Sequence, residues 1–358
     1  MEDIAVLGGG LLGRLCALNL AERGRNVSLY EQGGEAGEGS AAHIAAAMLA
    51  PSAESVDAPP EVVSLGRRSL PLWRALVSKL PQPVFFQENG SLIVWHGQDR
   101  PLSVQFLQHL QRSKPPAAPE IWTAQQLAGH EKQLSGRFQT ACFLPQEGQL
   151  DNRQTLAALA EALKRHGVCC HWQTAADPDT LAARHGWVID CRGIGAQSSW
   201  HQADGSRLRG VRGEVARVLA PEITLNRPVR LLHPRYPLYI APKENHIFVV
   251  GATQIESESR APASVRSGLE LLSALYAVHP AFGEAQILEL SAGLRPTLNH
   301  HCPEIRYRPR RRLIESNGLF RHGFMIAPAV SAAVADLAVQ LADGSRVRHD
   351  PDIRYTAM

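Results

Sequence analysis

Charge of one sign is scarce in this sequence. Lysine and arginine total 37 against 34 aspartates and glutamates, a net charge of +3. No basic patch interleaved with aromatics adds to that excess, so a nucleic-acid partner is not expected. Cysteine is sparse and badly spaced for chemistry. The six, Cys16, Cys142, Cys169, Cys170, Cys191 and Cys302, make no CxxC pair and no Cys/His zinc pattern. No metal site is expected, and His300-His301-Cys302 lacks a third spaced ligand. Adjacent Cys169 and Cys170 ill suit a bridge, so reduced thiols in a cytoplasm are the expectation. The apolar run at 4–7 is too short for a signal-peptide core and passes straight into glycines. Residues 325–341 carry Asp336 and Gln340, and are expected to fall short of a membrane span. There is no internal repeat and no low-complexity linker.

What is present is ordinary globular material. The 358 residues are 44% hydrophobic, enough for one large core or two smaller ones. The first thirty residues carry the clearest signal. Residues 3–7 read as a buried strand, 11–23 as a helix closed by Gly24, and 27–30 as a second strand ended by Glu31. Between strand and helix stands Gly8-Gly9-Gly10-Leu11-Leu12-Gly13. A GxGxxG in that setting, with an acid at the next strand end, is the fingerprint of a dinucleotide site. Gly8 permits the tight turn, Gly10 the approach of a pyrophosphate, and Gly13 close packing of helix on strand. The helix start offers free N–H groups to phosphates. Glu31 suits ribose hydroxyls and repels a 2′-phosphate, which argues against NADP and leaves NAD and FAD open.

Further along, helices are expected at 59–80, 103–112, 123–128, 152–166, 263–276 (after Pro262) and 328–341. Strands are expected at 138–144, 171–173, 187–191, 213–219, 286–294 and 312–316. Asn89-Gly90 predicts a hairpin joining 84–86 to 91–95, and 239–241 should pair with 246–251. Strand–turn–helix units recur near Val188 and Leu313, with hairpins between them. That pattern predicts a discontinuous architecture, α/β plus α+β. A Rossmann-type domain is built from 1–80, 150–205 and 296–358, and an inserted antiparallel-sheet domain from 81–149 and 206–295.

Several later segments settle the open choice of cofactor by resemblance. They are SAAHIAAAMLAP (Ser40 to Pro51), Val211-Arg212-Gly213-Glu214, Tyr239-Ile240-Ala241-Pro242, Val250-Gly251-Ala252-Thr253, Ala292-Gly293-Leu294-Arg295-Pro296, and Gly318-Leu319-Phe320-Arg321-His322-Gly323 followed by Ala327-Pro328-Ala329. In this order they resemble the FAD-dependent D-amino-acid oxidase type, and within it most closely the glycine oxidases of the thiamine pathway. The resemblance covers nearly the whole chain. It implies a fold of the p-hydroxybenzoate hydroxylase type with bound FAD. It also implies oxidation of glycine or another small amino acid or secondary amine by hydride transfer, dioxygen being reduced to hydrogen peroxide. The imine product would serve thiamine thiazole synthesis. A flavin dehydrogenase feeding a quinone or partner, and a flavoprotein that modifies a residue of a partner protein, are the alternative functions. The resemblance further suggests a homo-oligomer.

The same resemblance assigns roles. Arg295 is the carboxylate clamp, because a guanidinium fork binds a carboxylate bidentately and keeps its proton. Tyr239 either bonds the same carboxylate or packs in the core. Arg321 stands at the rim of the site or pins its loop. The cofactor would meet Gly8, Gly10, Leu11, Leu12, Gly13, Glu31 and Gln32. It would also meet Ser40, Ala46, Ala47, Met48, Leu49 and Gly193, and the closing loop Gly318, Leu319, Phe320, Arg321, His322, Gly323 and Phe324. A helix starting near Pro328 would aim its positive end at the flavin. Some relatives attach FAD through a histidine that would fall at Ile44 here, one place from His43, so non-covalent FAD is expected. Departures from the family are Leu319, Ala47 in place of glycine, Ala42-His43 and Gln254, and they bear on the substrate. The basic run Arg308–Arg312 is a solvated edge or a steering patch.

Overall fold

The computed structural model describes residues 3–200, 207–232, 234 and 238–358. Four apolar residues, Ile4–Leu7, form a fully buried strand, β1, as expected of a parallel strand covered on both faces. The Leu11–Glu22 helix follows, and Gly24, at φ +74°, turns the chain out of it into β2 (Val27–Tyr30).

The remaining strands follow in chain order. They are β3 (Met48–Leu49), β4 (Phe86–Gln87), β5 (Ser91–Val94), β6 (Glu120–Thr123), β7 (Thr140–Leu144) and β8 (Gly148–Leu150). Then come β9 (Cys169–His171), β10 (Trp187–Asp190), β11 (Arg209–Leu219), β12 (Val229–Leu231), β13 (Leu238–Pro242) and β14 (Ile247–Gly251). The last are β15 (Gln286–Thr297), β16 (Glu304–Arg308), β17 (Leu313–Asn317) and β18 (Arg354–Ala357).

These strands form three sheets. A seven-stranded sheet runs β18-β16-β17-β10-β1-β2-β9, with β1 parallel to both β10 and β2. An eight-stranded sheet runs β15-β11-β14-β13-β12-β5-β7-β6 and is antiparallel except where β12 meets β5. A small sheet, β3-β8-β4, uses strands of two or three residues. The main core lies against the first sheet, where the Leu11–Glu22, Asn152–Arg165, Pro60–Val77 and Gly323–Ala342 helices bury their apolar faces. A second core lies under the eight-stranded sheet, closed by the Val265–Val278 helix.

Four expectations need correction. The hairpin about Asn89-Gly90 does not form. β5 is wholly buried between β7 and β12, while β4 turns away to pair with β8. Gly90 is glycine for another reason: a Cβ there would lie 2.3 Å from the Phe143 ring. The late helix begins at Gly323, five residues before Pro328. Proline is tolerated there because its missing N–H frees the Phe324 carbonyl, which instead accepts from Trp73 Nε1 at 2.7 Å. The helix expected at 263–276 starts at Val265, capped by the Ser264 hydroxyl, which accepts from the Ser267 N–H. Finally, residues 320–342 are long and apolar enough to cross a membrane by length and composition, but most of that stretch is buried inside the molecule.

Two of the expected domain boundaries cut strands, while the one at 80/81 falls between the Pro60–Val77 helix and β4. The one at 149/150 falls inside β8, and the one at 295/296 inside β15. The one at 205/206 lies outside the described residues.

Candidate functional site

β1 delivers the chain to Gly8, whose φ of +102° only glycine adopts freely. Space imposes the same choice, since a Cβ there would lie 2.8 Å from the Arg192 nitrogen and the Cys191 carbonyl. A Cβ on Gly13 would lie 1.8 Å from the Gly8 carbonyl oxygen, so helix and turn pack as closely as the motif requires. Gly10, by contrast, has only the Ser40 Cβ near it, at 3.8 Å. Its open side, and the uncapped helix start after it, face a cavity of about 530 Å³. Glu31, at the end of β2, accepts from the N–H groups of Gly9 at 2.5 Å and Gly33 at 2.6 Å. The carboxylate is thereby fixed at the mouth of the turn.

The same cavity is lined by Ala41, Ala42 and Ala45–Met48, by Gly193, by the loop 319–325, and by Tyr239 and Arg295. Of the residues expected to meet a cofactor, Gly8, Gly10, Leu11, Leu12, Glu31, Gln32, Ser40, Ala46, Ala47, Met48, Gly193, Leu319, Phe320, Arg321, His322, Gly323 and Phe324 line it. Gly13, Leu49 and Gly318 do not. Gly13 acts through packing, and Leu49 is a core residue only 1% exposed. Gly318 is held by the loop behind it, where a Cβ would meet Leu298 at 2.6 Å and the Cys302 carbonyl at 2.9 Å. Ile44 lines the cavity and His43 does not; the His43 ring lies 3.3 Å from the Ala36 carbonyl. Gln254 lines the cavity, but none of Arg308–Arg312 does, and two of that run are ion-paired, Arg308 to Glu315 and Arg311 to Asp179. The Gly323–Ala342 helix presents its first turn, Gly323 to Met325, to the cavity wall.

Glycines on the long antiparallel ladder make room for the two polar groups at the far end. In β11 Gly213 faces Gly293, and a Cβ on Gly213 would lie 2.3 Å from the Arg295 guanidinium carbon. In β14 Gly251 faces Tyr239, and a Cβ there would lie 2.8 Å from the Tyr239 hydroxyl. Arg295 donates to the Thr253 carbonyl at 3.1 Å, and no ion pair ties it to a carboxylate among the described residues. Burial pulls Arg295 below its usual pKa, opposed by Tyr239. Burial pushes the Tyr239 phenol up, opposed by Arg295, so the phenol keeps its proton at neutrality; the guanidinium keeps its own because arginine does not give it up in proteins.

Arg321 is placed differently. Its Nη2 lies 3.0 Å from Glu54 Oε2 and 3.7 Å from Asp57. Arg230 reaches the same two acids, at 3.3 Å and 3.6 Å, and His322 Nδ1 is 3.4 Å from Glu54. Burial works to raise Glu54, but Arg321, Arg230, His322 and Arg295 overcome it and hold the carboxyl at about 2. Burial brings His322 down to about 4 against the pull of Glu54, so its ring is neutral at pH 7. Glu54, Asp57 and Arg230 were missed in the sequence. The one available signal was an acid, Glu54, closing a segment otherwise made of small and apolar residues.

A glycine turn open to phosphates, an acid that disfavours a 2′-phosphate, and one cavity that also takes in a buried guanidinium are the parts of a dinucleotide-dependent oxidoreductase. The chain belongs to the FAD dependent oxidoreductase (DAO) family, whose model matches residues 3–337. It is 40% identical over 332 residues to a Rhizobium etli protein named as a thiamine biosynthesis oxidoreductase, ThiO, covering 93% of this chain and 95% of that one. It is 26% identical to the glycine oxidase of Geobacillus kaustophilus, covering 97% of each. The crystal structure of glycine oxidase from that organism superposes with a TM-score of 0.80 at 22% identity, over 98% of this chain and 97% of the other.

Proposed function

We propose that this FAD-dependent enzyme oxidises glycine or another small amino acid or secondary amine, with dioxygen as acceptor and hydrogen peroxide as product. The imine would supply thiamine thiazole synthesis, a reading supported by the name of the Rhizobium relative. The observation that carries the substrate class is Arg295: a guanidinium lining the cavity, given its space by Gly213 and bound to a carbonyl rather than to an acid. A substrate carboxylate would take the fork bidentately, with the Tyr239 hydroxyl as a further donor. FAD, when bound, supplies the hydride acceptor.

The chain's own residues do the rest. The glycine turn and the Leu11–Glu22 helix start hold phosphates, and Glu31 takes ribose hydroxyls. The first turn of the Gly323–Ala342 helix brings a partial positive charge to the cavity wall, which stabilises negative charge developing there. Glu54 and Asp57 neutralise Arg321 and Arg230, while buried Arg295, with no ion pair among the described residues, is left to fix the substrate's orientation. His322, neutral and buried, adds no charge to compete with it. The seven-stranded sheet carries the glycine turn and the eight-stranded sheet carries Tyr239 and Arg295, which supports a cofactor half and a substrate half. The six free cysteines suit a reducing cytoplasm.

Anaerobic titration of the FAD-loaded protein tests this. Glycine, sarcosine or a small D-amino acid should bleach the flavin absorbance, and readmitted air should restore it with peroxide release. Bleaching by none of them overturns the reading of the substrate, and very slow recovery in air overturns the acceptor.

A further inference from the structure

Lys243 is a buried cation that the chemistry above does not use. It follows the last residue of β13, is 6% exposed, and faces no carboxylate in hydrogen-bonding range among the described residues. Its ammonium donates to the Ala46 carbonyl at 2.8 Å, the Leu150 carbonyl at 2.8 Å and the Gln149 side-chain oxygen at 3.0 Å. Three N–H groups meet three neutral acceptors. Gln149 is oriented for this by a bond from its Nε2 to the Gln87 side-chain oxygen, at 2.9 Å.

The acceptors sit where a ladder ends. β3 and β8 pair at Met48↔Gln149 and Leu49↔Gly148, and the Leu150 N–H reaches on to the Ala47 carbonyl at 3.2 Å. There the pairing stops, because Ala47 bends the chain with φ +53°. An alanine in the left-handed region is held there against its preference. The bend turns the Ala46 carbonyl out of the ladder and leaves the Leu150 carbonyl without a strand partner. Both would be buried and unsatisfied without Lys243. Ala46, Ala47 and Met48 all line the cavity.

We propose that Lys243 is a positioning residue that holds the Ala46–Ala47 peptide in its left-handed bend and so shapes the cavity wall against which FAD binds. The proposal rests on the reading of the Ala45–Met48 segment as a cofactor wall. The residue acts from the substrate side of the molecule, across the sheet boundary, on the wall of the cofactor side. Burial brings the ammonium down to about 7, with Asp151 pulling it up and Arg217 pulling it further down. The group is therefore retained here against a desolvation penalty, which its three bonds offset.

The logic gives a specific rescue. If Lys243 matters because Ala47 resists the bend, glycine at 47 should relieve the need for it. Apoprotein is titrated with FAD, following quenching of flavin fluorescence, for wild type, K243M, A47G, K243M/A47G and K243R. K243M should bind FAD about fivefold to tenfold more weakly, because the three bonds that hold the bend are lost and the wall relaxes. K243M/A47G should return to within about twofold of A47G alone, which serves as its reference. K243R, which keeps the donors, should bind more tightly than K243M. A K243M protein that binds FAD as wild type does, or a weakened one that A47G fails to restore, overturns the proposal. If K243M does not fold, recovery of a folded, FAD-binding protein in K243M/A47G supports it, and failure of both overturns it. Wild-type apoprotein that takes no FAD would instead refute the reading of the cavity.

Discussion

The guanidinium of Arg295 occupies the space that a side chain at Gly213 would fill, a Cβ there falling 2.3 Å from its Cζ. The two residues are on neighbouring strands of the long β11–β15 ladder, so the clamp is set by sheet register and not by a mobile loop. Substituting Gly213 therefore moves the clamp while sparing the FAD site. G213A should raise KM for the amino acid by about tenfold or more, since small displacements of an orienting group are expensive. Steady-state kinetics on FAD-saturated enzyme, beside an FAD titration, check this, and equal losses in both would count against it.

Glu54 is ionised against burial by Arg321 and Arg230, with Arg295 adding to them and, once it protonates at low pH, His322. Its folded pKa of about 2 lies below the unfolded value of 4.5, so its contribution to stability is complete above pH 4.5 and is lost as pH falls towards 2. E54Q should be less stable at pH 7, by about 3 kcal/mol, because buried Arg230 and half-buried Arg321 lose the anion they share. Its urea midpoint should also change less than wild type's between pH 4.5 and 3.

Glu147 runs the other way. It is buried beneath the Pro51–Glu54 turn, accepting from the Ala53 N–H at 2.6 Å and from the Ser91 hydroxyl, with Arg230 and Glu54 as its charged neighbours. Burial, which dominates, pushes its carboxyl up to about 7. A folded pKa above the unfolded 4.5 means that its stabilisation is complete below pH 4.5 and disappears as pH rises through 7. E147Q should flatten that part of the stability profile. Urea denaturation at pH 5 and pH 8 reads it directly, and an unchanged slope would refute the assignment.

Trp73 and Pro328 form a compensating pair through the Phe324 carbonyl. W73F should cost about 1 kcal/mol in wild type. In a P328A background it should cost less, because the backbone N–H that alanine restores at that position can take over the carbonyl as an ordinary helix bond. A double-mutant cycle measures the difference.

Local features were the legible ones. β1, the Gly8–Gly13 turn and Glu31 are specified within thirty residues, and their backbone requirements leave few alternatives. Arg295 and Tyr239 were found because family motifs flank them. The Glu54 cluster was hidden because its partners lie far away in sequence: Arg230 is 176 residues on, and neither segment has a period or motif pointing to the other. β12 and β16 were overlooked for a similar reason. Short strands are fixed by the neighbours they pair with, and Arg230 and Arg306 interrupt the apolar pattern that would announce them. The Asn89-Gly90 hairpin failed because a local turn preference lost to the burial of β5 between two distant partners.

The three-stranded sheet has a kinetic consequence. Its strands come from residues 48–49, 86–87 and 148–150, and none can pair until β8 has closed a loop of about sixty residues onto β4 and one of about a hundred onto β3. Such non-local pairings are slow to nucleate and offer few hydrogen bonds in return. The ribbon that walls the cavity at Met48 should therefore zip last, after the glycine turn and its helix have formed, so that phosphates meet a finished cradle before the ring system meets a finished wall.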